Sequence, residues 1–97
     1  MSQFDVHHLA AGLVIDCQSD LLAQLDSRFV APLVPRADAP KIAQRLNPVF
    51  EIYGQDYVML TQAAAAVRRR ELGEVMISLA QHAYEITNAL DVLISGV

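Results

Sequence analysis

Three consecutive arginines in the segment "VRRRE" are the densest group of charged side chains in the chain. Arg68, Arg69 and Arg70 supply three of its seven basic residues. Guanidinium groups bind carboxylates and phosphates through paired hydrogen bonds. The segment could therefore receive an acidic, disordered protein tail or a nucleic-acid backbone, or form a charged strand edge that discourages aggregation. In a strand, Arg68 and Arg70 would share one face and Arg69 would occupy the other.

The histidines and the single cysteine do not predict a metal site or a nucleophile. His7 and His8 are adjacent, so on a strand they point to opposite faces and cannot bind one ion together, while His82 is distant in the sequence. Cys17 falls on the same strand face as Ile15, which is typical of a small buried hydrophobic residue. The sequence also lacks a phosphate-binding loop, a zinc-protease motif and a nucleophile elbow. We therefore expect no metal, no cofactor and no enzymatic activity.

The end of the chain, from Tyr84 through the segment "ITNALDVLISGV", places polar residues in a single helical stripe. Asp91 lies one turn before Ser95, and negative charge at a helix C-terminus is unfavourable by a few tenths up to about 1 kcal/mol. A cationic partner docking there would relieve this penalty; an exposed, frayed helix end would simply tolerate it. The residues of the stripe, which recur three or four apart, are Tyr84, Thr87, Asn88, Asp91 and Ser95.

Apolar patterning predicts the elements that hold these residues. The segments "QFDVHHL" and "GLVIDCQ" alternate as strands do, and "LAAG" between them is short enough for a hairpin. "SRFVAPLVP" is a third strand, in which Pro32 predicts an edge position or a bulge. The proline-rich "PRADAPKIAQRLNP" indicates an irregular excursion with at most a helical turn. "VFEIYGQDYVMLT" predicts a hairpin around Gly54 and Gln55.

Two interpretations of the segment 63–72 remain open, whereas the helix after it is clear. Alanine and arginine favour a helix in 63–72, but Gly73 interrupts it. Ser78 and Gln81 form a possible capping box, which predicts a helix over about 79–94. Its apolar stripe, with spacings of three and four, consists of Leu79, Ala83, Ile86, Leu90 and Leu93.

Composition limits the class of protein. With 97 residues the chain is a single domain, 1–97, yet 54% of the residues are apolar and the mean hydropathy is +0.29. A domain this small cannot hide so much apolar surface, so we expect self-association. The net charge of −4 argues against direct nucleic-acid binding. A single cysteine suits a reducing compartment, and without a signal peptide or membrane span we expect a cytoplasmic protein.

The order of these parts resembles the CcdB family, the gyrase-poisoning toxins of bacterial toxin–antitoxin modules that act in plasmid maintenance. The resemblance is carried by "QFDV", "LVIDCQSDLL", "RFVAPL", "LNPVFEIYGQDYVMLTQ" and "LGEV…ITNALDVLISGV", in colinear order over nearly the whole chain. It implies an SH3-like, MazF-like barrel with a main antiparallel sheet, a small accessory sheet and one C-terminal helix. It further implies a strand in 63–72, a homodimer, and neutralisation by a CcdA-like antitoxin, for which Arg68, Arg69 and Arg70 are candidate contacts.

The resemblance also implies residues that bind the DNA gyrase A subunit and act as a topoisomerase poison. The family ends in a tryptophan, a glycine and an aliphatic residue, with an asparagine one turn earlier. Here these positions hold Ser95, Gly96, Val97 and Asp91, and the chain contains no tryptophan. The further apolar contacts of the family match Leu21 and Leu22.

Two alternatives follow from the same fold. Because Ser95 replaces the tryptophan, the protein could bind an antitoxin without poisoning gyrase. Because the barrel is shared with the MazF endoribonucleases, the arginine segment with His7 or His8 could instead cleave RNA.

Overall fold

The computed structural model describes residues 1–96, and within this range the protein is mainly antiparallel β-structure with one C-terminal helix. The helix α1 spans Ala83–Ser95, and Gly96 follows it as the last described residue. This confirms the predicted fold class. Among the described residues, no helix has the length and apolar character needed to cross a membrane. The strands are β1 Asp5–Leu9, β2 Gly12–Asp16, β3 Ser27–Pro35, β4 Val49–Ile52, β5 Gln55–Met59, β6 Ala65–Arg68 and β7 Val75–Ser78.

The seven strands form one curled sheet in the order β4-β5-β3-β2-β1-β7, with β6 paired to β3. The nine-residue strand β3 organises it: β2 lies along one side, while β6 and then β5 share the other. The hairpin β4–β5 is continuous with the main sheet because β3 is long enough to pair with both β6 and β5.

The prediction that Pro32 marks an edge or bulge in β3 is wrong, because β3 is an interior strand. On its second side, pairing with β6 runs as far as Val30 and pairing with β5 begins at Leu33. Pro32 lies at this change of neighbour, where its carbonyl accepts a hydrogen bond from the N–H of Leu60 at 2.9 Å. The missing proline N–H therefore interrupts no ladder.

The predicted second hairpin exists, but its turn is one residue earlier than expected. Ile52 pairs with Gln55, so the two turn residues are Tyr53 and Gly54 rather than Gly54 and Gln55. Both have left-handed φ angles, 50° and 80°. That combination is the type I′ turn, whose twist matches the flanking strands.

The segment 63–72 contains a strand, as the family resemblance implied. β6 pairs antiparallel with Ser27–Val30 of β3, and a short 3-10 turn, Arg69–Glu71, follows it. Tertiary pairing overrides the helix preference of alanine here, because β6 supplies the hydrogen-bonding partner for the first half of β3.

The final helix begins later than the predicted residue 79. The N–H of Leu79 donates to the carbonyl of Phe4 at 2.8 Å, and its side chain is buried. Leu79 is thereby tied to the sheet, so a 3-10 turn, Ala80–His82, precedes α1. The hydroxyl of Ser78 accepts from the N–H of Ala80 instead of forming the predicted capping box.

Both faces of the central strands are buried. On one face, Ile86 of α1 packs into an apolar cluster that includes Ile15 and Phe50; burying one such side chain contributes about 1.5–3 kcal/mol. On the other face lie an ion pair, Asp16 and Arg28, whose side chains are both fully buried.

Candidate functional site

The helix end presents the polar stripe that the sequence predicts. Tyr84, Thr87, Asp91 and Ser95 are exposed, and Asn88 is partly buried. Ile94, which belongs to neither predicted stripe, is 82% exposed. In the sequence, Ile94 could have been recognised as an apolar residue that lies outside the apolar stripe of the helix. The helix end therefore offers a mixed surface, with a carboxylate beside an isolated aliphatic side chain.

The hydroxyl groups of this stripe are bound within the helix itself. The Oγ of Ser95 donates to the carbonyl of Asp91 at 2.6 Å, and the Oγ1 of Thr87 donates to the carbonyl of Ala83 at 2.9 Å. Ser95 therefore does not reach outward as a long anchoring side chain would.

Gly96 ends the helix in the left-handed conformation that glycine favours. Its φ is 77°, and its N–H donates to the carbonyl of Val92 at 2.8 Å. Val97, the other predicted contact residue at this end, lies outside the described residues.

Leu21 and Leu22 lie on a 3-10 turn, Asp20–Leu22, which three residues separate from the end of β2. The Oγ of Ser19 accepts from the N–H of Leu21 at 3.2 Å and so caps the turn. The two side chains are 89% and 50% exposed, and Leu25, which the sequence analysis missed, is 48% exposed. Neighbouring exposed leucines of this kind are typical of a protein contact surface.

The leucine turn and the helix end are two separate parts of the candidate surface. The turn is held by the N–H of Gln3, which donates to Asp20 at 2.8 Å, and by the side-chain amide of Gln18, which donates to the carbonyl of Leu22. Within residues 1–96, no hydrogen bond or ion pair ties the turn to α1. A partner would have to span both elements to use them together.

The three arginines converge, which the predicted alternation did not suggest. Strand β6 ends at Arg68, and the 3-10 turn that follows carries Arg69 and Arg70. All three line one open depression of about 490 Å³, together with Asp26. Three cations thus face a single lining carboxylate, which makes the depression suited to an anionic group. No histidine is among these lining residues.

The histidines are dispersed, as the sequence predicts. His7 is buried with its Nδ1 2.9 Å from the carbonyl of Gly73, while His8 is exposed. His82 lies against Phe50, with ring centroids 5.0 Å apart. Within residues 1–96, no group of three histidine, cysteine or acidic residues is arranged to hold a metal ion.

Cys17 is a buried thiol, as expected from its strand face. Burial, and to a smaller extent the neighbouring Asp16 carboxylate, raises its pKa from 9.0 to about 12. The thiolate is the reactive form, so a raised pKa suppresses reactivity in the folded state.

We expect Cys17 to react with Ellman's reagent at pH 8 about a hundredfold or more slowly in the folded protein than in urea. Because the folded pKa is the higher one, the associated stability is present below pH 9 and is lost as the pH rises toward about 12. Cys17→Ala should abolish the reaction and reduce this alkaline loss. Rapid stoichiometric labelling of the native protein would contradict the burial.

Comparison with known protein families assigns the chain to a family. The family model described as CcdB protein matches residues 3–96 of the 97-residue chain. The match takes in the leucine turn, the arginine depression and the helix end as far as Gly96. Because it extends over nearly the whole length, the chain belongs to the CcdB family, the toxins of toxin–antitoxin modules.

Proposed function

We propose that the protein binds the DNA gyrase A subunit, traps its cleavage complex, and is neutralised by a cognate antitoxin. The observation that carries this proposal is the family match over residues 3–96. The proposed contacts are Leu21 and Leu22 on the turn after β2, and Asp91, Ser95, Gly96 and Val97 at the end of the helix. The exposure of the two leucines and of the helix end supports this assignment.

The charge of the helix end supports a cationic contact on the target. Asp91 is exposed one turn before the end of α1, and the last turn contains no basic residue. A carboxylate there opposes the helix dipole, so an arginine of the partner would be attracted to it. An exposed pair of this kind contributes only about 0–1 kcal/mol. Asp91 therefore compensates at most part of the missing tryptophan.

The proposal includes a homodimer, because exposed apolar side chains are numerous for a chain of this length. Light scattering should then give twice the monomer mass of 10.6 kDa; a monomer at working concentration would contradict this part. The exposed large apolar side chains are Met1, Leu21, Leu22, Leu25, Phe29, Tyr53, Val75, Tyr84, Leu93 and Ile94. We propose that the dimer acts in the cytoplasm.

The test of gyrase binding is a cleavage-complex assay with the gyrase of the same host. We expect the natural protein to trap double-strand-cut DNA, and a variant truncated after Ile94 to lose this activity while it still binds the antitoxin. Arg69→Glu is the matched surface control and should leave trapping unchanged, because Arg69 lies on the 3-10 turn after β6, which belongs to neither proposed gyrase contact. Equal trapping by the truncated variant would contradict the proposed contact.

A second candidate function keeps the antitoxin and loses gyrase poisoning. It is favoured by Ser95, whose hydroxyl is bound to the carbonyl of Asp91 in its own helix. Antitoxin binding with no DNA cleavage by the natural protein would support this candidate. Toxicity that survives the truncation but is lost on replacing the arginines would instead indicate RNA cleavage.

A further inference from the structure

The outer edge of β6 has a backbone donor and acceptor pointing away from the sheet. The N–H of Arg69 donates to the carbonyl of Asp26 at 2.7 Å, which sets the phase of the antiparallel ladder with β3. Hydrogen-bonded and non-hydrogen-bonded pairs alternate in such a ladder. Ala65 and Val67 therefore bond to β3, whereas the N–H and C=O of Ala66 point outward.

The pairing on the far side of β3 agrees with this phase. Ala66 lies opposite Phe29, and the carbonyl of Phe29 accepts from the N–H of Cys17 in the neighbouring β2 segment. The backbone groups of Phe29 thus point away from β6, as those of a non-hydrogen-bonded pair do.

The next backbone N–H that points outward from β6, that of Arg68, is already bound by a carboxylate of the protein. The Oε2 of Glu71 accepts a hydrogen bond from the backbone N–H of Arg68 at 3.2 Å. Glu71 reaches this donor because the chain turns back immediately after the strand. The contact shows that a carboxylate fits against the outer edge of β6, close to the three arginines.

We propose that the outer edge of β6 docks an acidic, extended peptide, which adds a strand beside Ala66 and places its carboxylates in the depression lined by Arg68, Arg69 and Arg70. Backbone pairing at a sheet edge gives such a peptide affinity, and side-chain contacts give it specificity. As an antitoxin site it rests on the function proposed above; as a peptide site it does not.

The side chains around the edge define the order of residues in the peptide. Ala66 is exposed, and its partner Phe29 is 38% exposed on the same face. Arg68 lies two residues further along the same face of β6. A bound strand would therefore carry an apolar residue opposite Ala66 and an acidic residue two positions away, opposite Arg68.

Charge and backbone geometry favour this occupant over two others. A second copy of the chain would bring its own three arginines to the same edge, and the like charges would repel. A nucleic acid would match the arginines but could not pair with the N–H and C=O of Ala66, and the net charge of −4 opposes it. An acidic peptide satisfies both the cations and the strand edge.

The experiment uses a fluorescein-labelled, capped, extended peptide that carries a valine and, two positions away on the same face, a glutamate. Its binding is measured by fluorescence polarisation at low salt. Ala66→Pro removes only the outward N–H and keeps the bonds of Ala65 and Val67 to β3, as proline on an open strand edge can. We expect Ala66→Pro to weaken binding at least tenfold and Ala66→Val to leave it within about twofold. Should Ala66→Pro unfold, N-methylation of the peptide on the edge-facing amides must produce the same loss.

A second pair of variants tests the contact of Glu71. Glu71→Ala exposes the N–H of Arg68 and removes a competing carboxylate, so the peptide should bind several-fold more tightly. Glu74→Ala removes the same charge from an exposed residue nearby and should have a smaller effect.

Three results would overturn the proposal. They are undiminished binding to Ala66→Pro, equal binding of a single-stranded oligonucleotide of matched charge, and no peptide binding at all. Because gyrase is absent from this assay, none of these results bears on gyrase trapping.

Discussion

Replacing Ser95 with tryptophan should strengthen trapping of the gyrase cleavage complex by about thirty- to a thousand-fold. An aromatic anchor at the centre of an interface contributes about 2–4 kcal/mol, and each 1.4 kcal/mol corresponds to a tenfold change in affinity. Tryptophan is the ring with the strongest attraction for a cation, so it suits the cationic contact proposed for the helix end. Ser95 is exposed in the last turn of α1, so the larger ring meets solvent rather than the core.

Thr87→Trp is the matched control for this variant. Thr87 is exposed on the same helix, and its hydroxyl bonds to a carbonyl of its own helix just as that of Ser95 does. The control therefore adds the same ring and removes the same kind of hydrogen bond two turns away from the helix end. Both variants should unfold within about 0.5 kcal/mol of the natural protein, as exposed substitutions usually do.

The readout is the amount of double-strand-cut DNA as a function of protein concentration, with the host gyrase. A shift with Ser95→Trp but not with Thr87→Trp would place the anchor at the helix end. Equal shifts with both would mean that added hydrophobic surface is sufficient, and no shift with either would contradict the proposed contact at Ser95.

Much of the fold follows from local sequence patterns because the patterns and the pairing agree. The alternation in "GLVIDCQ" and the turn residues between β4 and β5 specify strands and a hairpin without reference to the rest of the chain. Apart from the one-residue shift of the turn between β4 and β5, the errors arise where a distant partner decides the outcome. Leu79 is held by the carbonyl of Phe4, and Pro32 lies where the pairing partner of β3 changes from β6 to β5. Neither partner is visible within a local window.

The candidate site shows the same division. The polar stripe of α1 follows from helical spacing alone, and the structure exposes it as expected. The convergence of the three arginines does not, because it depends on the strand ending at Arg68 and the chain turning there. The identity of a gyrase contact rests on family resemblance, since no local property of Ser95 or Leu21 specifies a partner.

The buried pair of Asp16 and Arg28 is the feature that local patterns missed most completely. Alternation places Asp16 on the face opposite Ile15, which for a sheet with one solvated face would mean exposure. In the folded chain this position is buried as well, and both charged side chains are fully inaccessible. The Nε and Nη2 of Arg28 donate to one carboxylate oxygen of Asp16 at 2.9 and 2.6 Å.

This pair also depends on the register of β2 against β3. Asp16 pairs directly with Val30, and Arg28 lies two residues further along β3 on the same face. A slip of one residue would move one partner to the other face of the sheet and separate the charges. The other carboxylate oxygen of Asp16 accepts from the N–H of Gln18 at 3.0 Å, which fixes its orientation.

Arg28→Met alone should lower the free energy of unfolding by about 3–5 kcal/mol, because it leaves the Asp16 carboxylate buried without its partner. That loss is a large part of the roughly 5–15 kcal/mol that stabilises a small domain. The double variant Asp16→Leu with Arg28→Met should recover most of it, since no unpaired charge remains and the Nη1 of Arg28, which has no partner among the described residues, is removed as well.

Urea denaturation of the single and double variants measures both effects, with Arg69→Met as the exposed control expected to change stability by less than about 0.5 kcal/mol. If Arg28→Met is too unstable to purify, the double variant still carries the test, because it should fold. If the double variant is as unstable as the single one, the ion pair itself is required to hold the register of β2 against β3, and the loss in the single variant is not explained by the unpaired charge alone. A single variant close to the natural protein would contradict the burial of the pair, because a solvated carboxylate loses little when its partner is removed.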